Sequence, residues 1–292
     1  VPTFGRLLTA MVTPMKADLS VDYERAADLA KRLVETGSDG VVVSGTTGES
    51  PTLSAAEKLR LFETVVKAVG DKATVIGGTG SYNTAETIEL TRHAEQTGID
   101  GALLVVPYYN KPPQEGLYQH FKAVAESTKL SCILYNVPSR TALNMSSHTI
   151  LRLAQVPNIV GIKECADLGQ LVDVLDGAPE GFKVWSGDDA ALLPYLALGA
   201  YGIVSVASHV VGQEMKEMIQ AFLEGQNEQA AMWHRRLTHV YRGLFAVTNP
   251  VLVKAAMAMT GFPVGPVRPP LVEATEKEQA ALREALAAGG VL

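Results

Sequence analysis

The chain has 292 residues, of which 47% are apolar and 19% charged, with a formal net charge of −6. That length suits one large α/β domain, or a barrel with an appendage, and the apolar fraction is ample for a sizeable core. An acidic balance without a Lys/Arg cluster or basic stripe argues against nucleic acid or an anionic membrane as partner, and no apolar stretch reaches the length of a membrane span.

The N-terminal segment, Val1-Pro2-Thr3-Phe4-Gly5-Arg6, lacks the charged and apolar regions of a signal peptide. Short apolar runs then alternate with amphipathic helical segments about every 30 residues. The runs are 7–13, 40–44, 74–78, 101–106, 131–135, 159–163, 182–186 and 202–206. About eight strands on a chain of this length predict a (β/α)₈ barrel. Between them, 21–36 has apolar positions at helical spacing with Gly37 beyond its end. Ser54-Ala-Ala-Glu57 is a capping box opening a helix to about Val69, with Gly70 just past it. Residues 84–97 form a helix ending similarly at Gly98. After about residue 224 no further strand is expected. Segments 227–247, 250–260 and 275–288 read as helices, and 261–270, rich in Gly and Pro, as a rigid extended connector. The division is therefore a catalytic barrel over 1–224 and a helical region over 225–292 packed on it. Cys132 and Cys165 sit in apolar strand-like runs and read as buried small hydrophobes, not a disulfide or metal pair. Together these features favour a cytoplasmic protein.

Barrel enzymes place their chemistry at the C-terminal ends of the strands. Lys163 ends the run Asn158-Ile-Val-Gly-Ile-Lys163. Burying an ammonium costs several kcal/mol, so such a lysine either snorkels to water or persists with a lowered pKa, as a nucleophile toward carbonyl substrates. Gly45-Thr46-Thr47-Gly48 reads as a tight turn, or as hydroxyls and free N–H groups that hold a small carboxylate; it lacks the ending of a phosphate loop. Tyr135 is a core aromatic or a proton-exchanging group, and Arg140 a solvated charge or a bidentate carboxylate clamp. Asp188-Asp189 reads as a helix N-cap pair, and His209 as a cap or loop residue. The six histidines are scattered without metal-ligand spacing, which disfavours a metal mechanism.

In combination, Gly45-Thr-Thr-Gly-Glu-Ser50, Tyr135-Asn-Val-Pro-Ser-Arg140 and Gly161-Ile-Lys163-Glu164 resemble the signatures of the dihydrodipicolinate synthase family. The likeness runs from about Leu7 through the C-terminal helices. It implies an imine between Lys163 and pyruvate, with Tyr135 as proton donor and acceptor in a relay with Thr46 and Tyr109. Tyr109 would come from a neighbouring subunit, so a homodimer at least, and usually a homotetramer, is implied. Thr47 and the main chain at Ile203 would contact pyruvate, with Gly187 near the pocket. Arg140 would bind the carboxylate of L-aspartate 4-semialdehyde. No metal or cofactor is implied, because the lysine imine is itself the electron sink. Lysine-inhibited relatives carry a histidine and an asparagine where this chain has Lys58 (with Ala55 in the same helix turn) and Tyr82, although Ser50, Glu86 and Tyr108 match. Weak or absent inhibition by L-lysine is therefore expected. The competing readings are a sialic- or sugar-acid lyase of the same superfamily, a silent keto-acid sensor, and a metal-dependent aldolase or hydrolase. Arg140 counts against the first, and the intact Lys163, Tyr135 and Thr46 against the second; insensitivity to a chelator would exclude the third.

Overall fold

The computed structural model describes residues 4–292; Val1, Pro2 and Thr3, which begin the segment read for a leader, lie outside the described residues. Eight parallel strands close in chain order, β8 pairing back to β1. They are β1 (Leu7–Ala10), β2 (Gly40–Val43), β3 (Thr74–Gly78), β4 (Gly101–Val105), β5 (Ser131–Asn136), β6 (Ile159–Glu164), β7 (Lys183–Ser186) and β8 (Gly202–Ser205). The barrel helices are α1 (Tyr23–Glu35), α2 (Ala55–Val69), α3 (Thr84–Glu95), α4 (Gln114–Glu126), α5 (Pro138–Thr141), α6 (Ser147–Leu153), α7 (Leu168–Gly177), α8 (Leu192–Ala197) and α9 (Ser208–Leu223). The C-terminal region adds α10 (Asn227–Leu244), α11 (Val251–Met259) and α12 (Glu276–Ala288).

Each expected strand is present, β3 with the bounds read for it and the others with shifted ends. The first run keeps only Leu7–Ala10 in the ladder; Met11, Val12 and Thr13 stay buried but leave it. β5 and β6 instead run one residue further, to Asn136 and Glu164. The capping box of α2 forms as read, Ser54 accepting from the Glu57 N–H and Glu57 accepting from the Ser54 N–H. Gly37 and Gly98 lie just beyond α1 and α3 with φ of 115° and 85°, a conformation costly for a side chain.

A strand sends alternate side chains to opposite faces, and both faces of a parallel barrel are covered. Leu8, Val42, Ile76, Leu103, Ile133, Tyr135, Trp185 and Val204 therefore fill the barrel interior. Their neighbours Leu7, Val41, Val43, Val75, Leu104, Leu134, Ile162 and Ile203 join the larger core beneath the helices. The connector after α11 lies along the barrel rim, where Met15 N–H donates to the Val264 carbonyl at 2.9 Å and Val264 and Val267 are buried. Among the described residues, no helix is long and apolar enough to cross a membrane.

Candidate active site

Strand parity brings the two central groups together. Tyr135 of β5 and Lys163 of β6 are in register, and both point inward because Leu134 and Ile162 point outward. Lys163 is 5% exposed, and its Nζ lies 4.2 Å from the centroid of the Tyr135 ring. Burial lowers the Lys163 pKa and the Arg140 charge lowers it further; Cys165 and Asp189 oppose. No ion pair joins Lys163 to a carboxylate among the described residues. Burial raises the Tyr135 pKa, against the opposing effect of Arg140 and of the Thr46 hydroxyl. The pair is thus biased toward neutral amine and protonated phenol, a nucleophile beside a proton donor.

Outside the barrel the next residues in register are clamped. Glu164 Oε1 accepts from Asn136 Nδ2 at 2.9 Å and from the N–H groups of Cys165 and Ala166, both at 2.8 Å. Its Oε2 accepts from Gln170 Nε2 at 3.1 Å. Burial raises its pKa and these donors lower it. The ends of β5 and β6 are thereby tied to each other and to α7.

Thr46, Thr47, Arg140, Lys163 and Gly187 share with Tyr135 the lining of a cavity of about 400 Å³. A second cavity of about 200 Å³ shares Thr46, Tyr135 and Arg140 and reaches Ser50 and Tyr108. Thr47 is buried, its Oγ1 accepting from Asn249 Nδ2 at 2.8 Å. Arg140 is exposed on α5, with one guanidinium nitrogen 3.5 Å from the Asn249 carbonyl. Gly187 is required sterically: a Cβ there would lie 2.2 Å from Cys165 Sγ and 2.9 Å from Lys163 Cε.

Ile203 is expected to contact pyruvate through its main chain and Tyr109 to act from a neighbouring subunit, and neither side chain lines this cavity within one chain. Ile203 faces the outer core, its N–H bonded to the Arg6 carbonyl; Val206, just past β8, lines the cavity instead. Tyr109 is 92% exposed at φ 68° and touches neither cavity within one chain. Its neighbour Tyr108 lines the smaller cavity and packs edge-on to Tyr82, ring centroids 5.1 Å apart.

Three further readings are corrected. Cys132 is buried in β5, but Cys165 follows β6, half-buried at the cavity wall beside Lys163, and burial pushes its thiol up to about 12. Asp188 caps a short turn by accepting from Ala190 N–H, whereas buried Asp189 accepts from Ser205 Oγ and from the N–H groups of Val206 and Ala207, fixing the chain before α9. His209 lies within α9, and its Nε2 accepts from Val12 N–H at 3.1 Å. Its Nδ1 then donates to the Val206 carbonyl at 2.8 Å, and burial lowers its pKa to about 4.

The sequence reading missed the contribution of the C-terminal region. Tyr241, Arg242, Phe245 and Asn249 complete the wall of the larger cavity. Asn249 touches both Thr47 and Arg140, yet in the sequence it reads only as a break before Pro250. No metal-binding group of His, Cys, Asp or Glu occurs among the described residues.

Comparison with known proteins agrees along the whole chain. Residues 3–289 match the dihydrodipicolinate synthetase family. The chain is 72% identical to a 4-hydroxy-tetrahydrodipicolinate synthase of Symbiobacterium thermophilum, covering all of both chains. It superposes on a crystal structure of a dihydrodipicolinate synthase from Bacillus anthracis with a TM-score of 0.97 at 46% identity, covering 98% of this chain and 99% of the other. The enzyme from Cyanidioschyzon merolae, crystallised with lysine bound, gives the same TM-score and identity and covers 99% of both chains. This chain belongs to the dihydrodipicolinate synthetase family.

Proposed function

We propose that this chain is a 4-hydroxy-tetrahydrodipicolinate synthase, condensing pyruvate with L-aspartate 4-semialdehyde on the route to diaminopimelate and lysine. The observation that carries the mechanism is a buried lysine without a carboxylate partner among the described residues, in register with a buried tyrosine at the active-site end of the barrel. The neutral Lys163 amine attacks the pyruvate ketone and water leaves, giving an imine. Loss of a methyl proton gives the enamine, with the imine as electron sink. The enamine carbon bonds to the aldehyde carbon of the second substrate. That substrate's amine then displaces Lys163, closes the ring and frees the enzyme. Lysine and substrate supply every electron pair, so the scheme uses no cofactor or metal.

Tyr135 moves the protons, supported by the Thr46 hydroxyl beside it. Thr47 holds the pyruvate carboxylate, with Gly187 giving room beside the imine. Arg140 takes the semialdehyde carboxylate at the cavity mouth. Tyr109, solvent-facing in a single chain, completes the relay of a second copy, so the working form is at least a dimer and a tetramer in the usual family pattern. Lys58 lines a third cavity with Ser50, Tyr82, Glu86 and Tyr108, where its charge disfavours a second ammonium.

Borohydride trapping with pyruvate, followed by peptide mapping, tests the mechanism. One adduct per chain on Lys163 is expected. Label on another lysine, or none on active enzyme, overturns it.

A further inference from the structure

The loop bearing Thr46 and Thr47 is bracketed by Ser44 and Glu49, two non-glycine residues held left-handed at φ 57° and 56°. That conformation is costly and persists where the surroundings impose it. At Glu49 the imposing contacts come from the C-terminal region. Its carboxylate pairs with Lys254 Nζ of α11 at 2.5 Å, both side chains being at most 4% exposed. Its Oε2 accepts from the Arg268 main-chain N–H at 2.7 Å. Lys254 Nζ also donates to the Pro266 carbonyl at 2.7 Å. The Arg268 guanidinium then spans to the Thr52 carbonyl at 2.8 Å and to the Glu57 carboxylate at 2.6 Å, beyond the far end of the same loop. None of Glu49, Lys254 and Arg268 lines either cavity, and the chemistry uses none of them.

We infer that Glu49 and Lys254 are positioning residues. Their ion pair locks the left-handed end of the loop and so sets the Thr46 and Thr47 hydroxyls against Tyr135 and Lys163. The inference rests on the reading of these threonines as groups that act on pyruvate. Because one partner lies in the barrel and the other in α11, the C-terminal region becomes part of the catalytic geometry as well as of the core.

The test compares E49Q, K254M, the double variant E49Q/K254M and Thr47→Ala for melting temperature, rate of pyruvate trapping and KM for each substrate. Each single change leaves one buried charge without its partner and lowers the melting temperature. The double variant has neither charge and regains stability. It is nevertheless expected to trap pyruvate about 10- to 100-fold more slowly, because small displacements of positioning groups cost rate on that scale. Its KM for the semialdehyde, set by Arg140, should not move. Trapping that recovers together with the melting temperature overturns the inference, since the pair is then structural only. Should the double variant not fold, E49D decides, keeping the charge on a shorter arm: slow trapping in a stable protein supports positioning, and wild-type trapping refutes it. Thr47→Ala separates the two layers. Unchanged trapping there removes the reading of the threonines and this inference with it. Slowed trapping there, with a wild-type rate in the double variant, removes the positioning inference alone.

Discussion

Lys163 at the end of β6 and Lys254 in α11 are buried to the same degree, each 5% exposed, and burial lowers the pKa of both. What surrounds them differs. Lys254 meets the Glu49 carboxylate and the Pro266 carbonyl, so its charge is answered inside the fold. Lys163 faces an aromatic ring, a thiol and open cavity, with the Arg140 charge also acting against it. Desolvation is common to the two, and a carboxylate bonded to the ammonium is not. A buried lysine becomes a nucleophile when its burial is left unanswered, and a structural cation when a carboxylate answers it. Even the sequence context is similar, since Ile159-Val-Gly-Ile-Lys163 and Val251-Leu-Val-Lys254 are both apolar runs ending in lysine.

The sharpest test of this contrast is chemical. Lys163→Ala should abolish pyruvate trapping and lower turnover by at least about a thousandfold, as removal of a covalent nucleophile does. Lys254 should remain unlabelled in that variant; an adduct there would show that burial alone suffices. The next test is thermodynamic. Lys254→Met should destabilise the fold by about 3–5 kcal/mol, because Glu49 is left buried and unpaired, whereas Lys163→Met should be neutral or stabilising. Denaturant melts of both variants read this directly, and equal losses would erase the distinction.

Arg140 then separates the two substrates. Arg140→Ala should leave trapping of pyruvate largely intact while weakening use of the semialdehyde by about 30- to 150-fold, the equivalent of one lost charged hydrogen bond. Equal loss of both half-reactions would make Arg140 a structural residue. A pH profile sharpens the comparison further. With its pKa lowered, Lys163 should trap pyruvate at a rate that climbs with pH and levels off below the ordinary lysine value of about 10.4. The sign for stability follows: Lys163 weakens the fold fully below its folded pKa, and the penalty vanishes above the unfolded one. Lys163→Met should remove that dependence. The smallest expected effect is that of L-lysine on initial rate. The Lys58 side chain lines the corresponding cavity, so half-inhibition in the sub-millimolar range would contradict the expected weak response.

Lys163, Tyr135, Thr46, Thr47, Arg140 and Gly187 were legible as residues of one cavity because each sits at or just beyond the C-terminal end of a strand, where parity and barrel closure force convergence. Asn249 and Val206 were not legible as site residues. Asn249 approaches from a break between two helices, and its contacts with Thr47 and Arg140 span 202 and 109 residues of chain. Ile203 shows the limit of parity: its side chain turns to the outer core, and the contact expected of it is one of its main chain, which side-chain parity does not govern. Asp189 was taken as a cap of its own segment, whereas its carboxylate serves the chain after β8.

The sequence by itself determined the eight-strand alternation, the helix caps, the helical C-terminal region and the rim residues, because period, capping chemistry and glycine placement are local rules. Only the tertiary structure decided which buried lysine has a carboxylate partner, which C-terminal residues close the cavity, and how Glu49, Lys254 and Arg268 strap the threonine loop. Those outcomes depend on compensation of charge across distant segments, and no local pattern encodes which carboxylate will meet which ammonium once the barrel has closed.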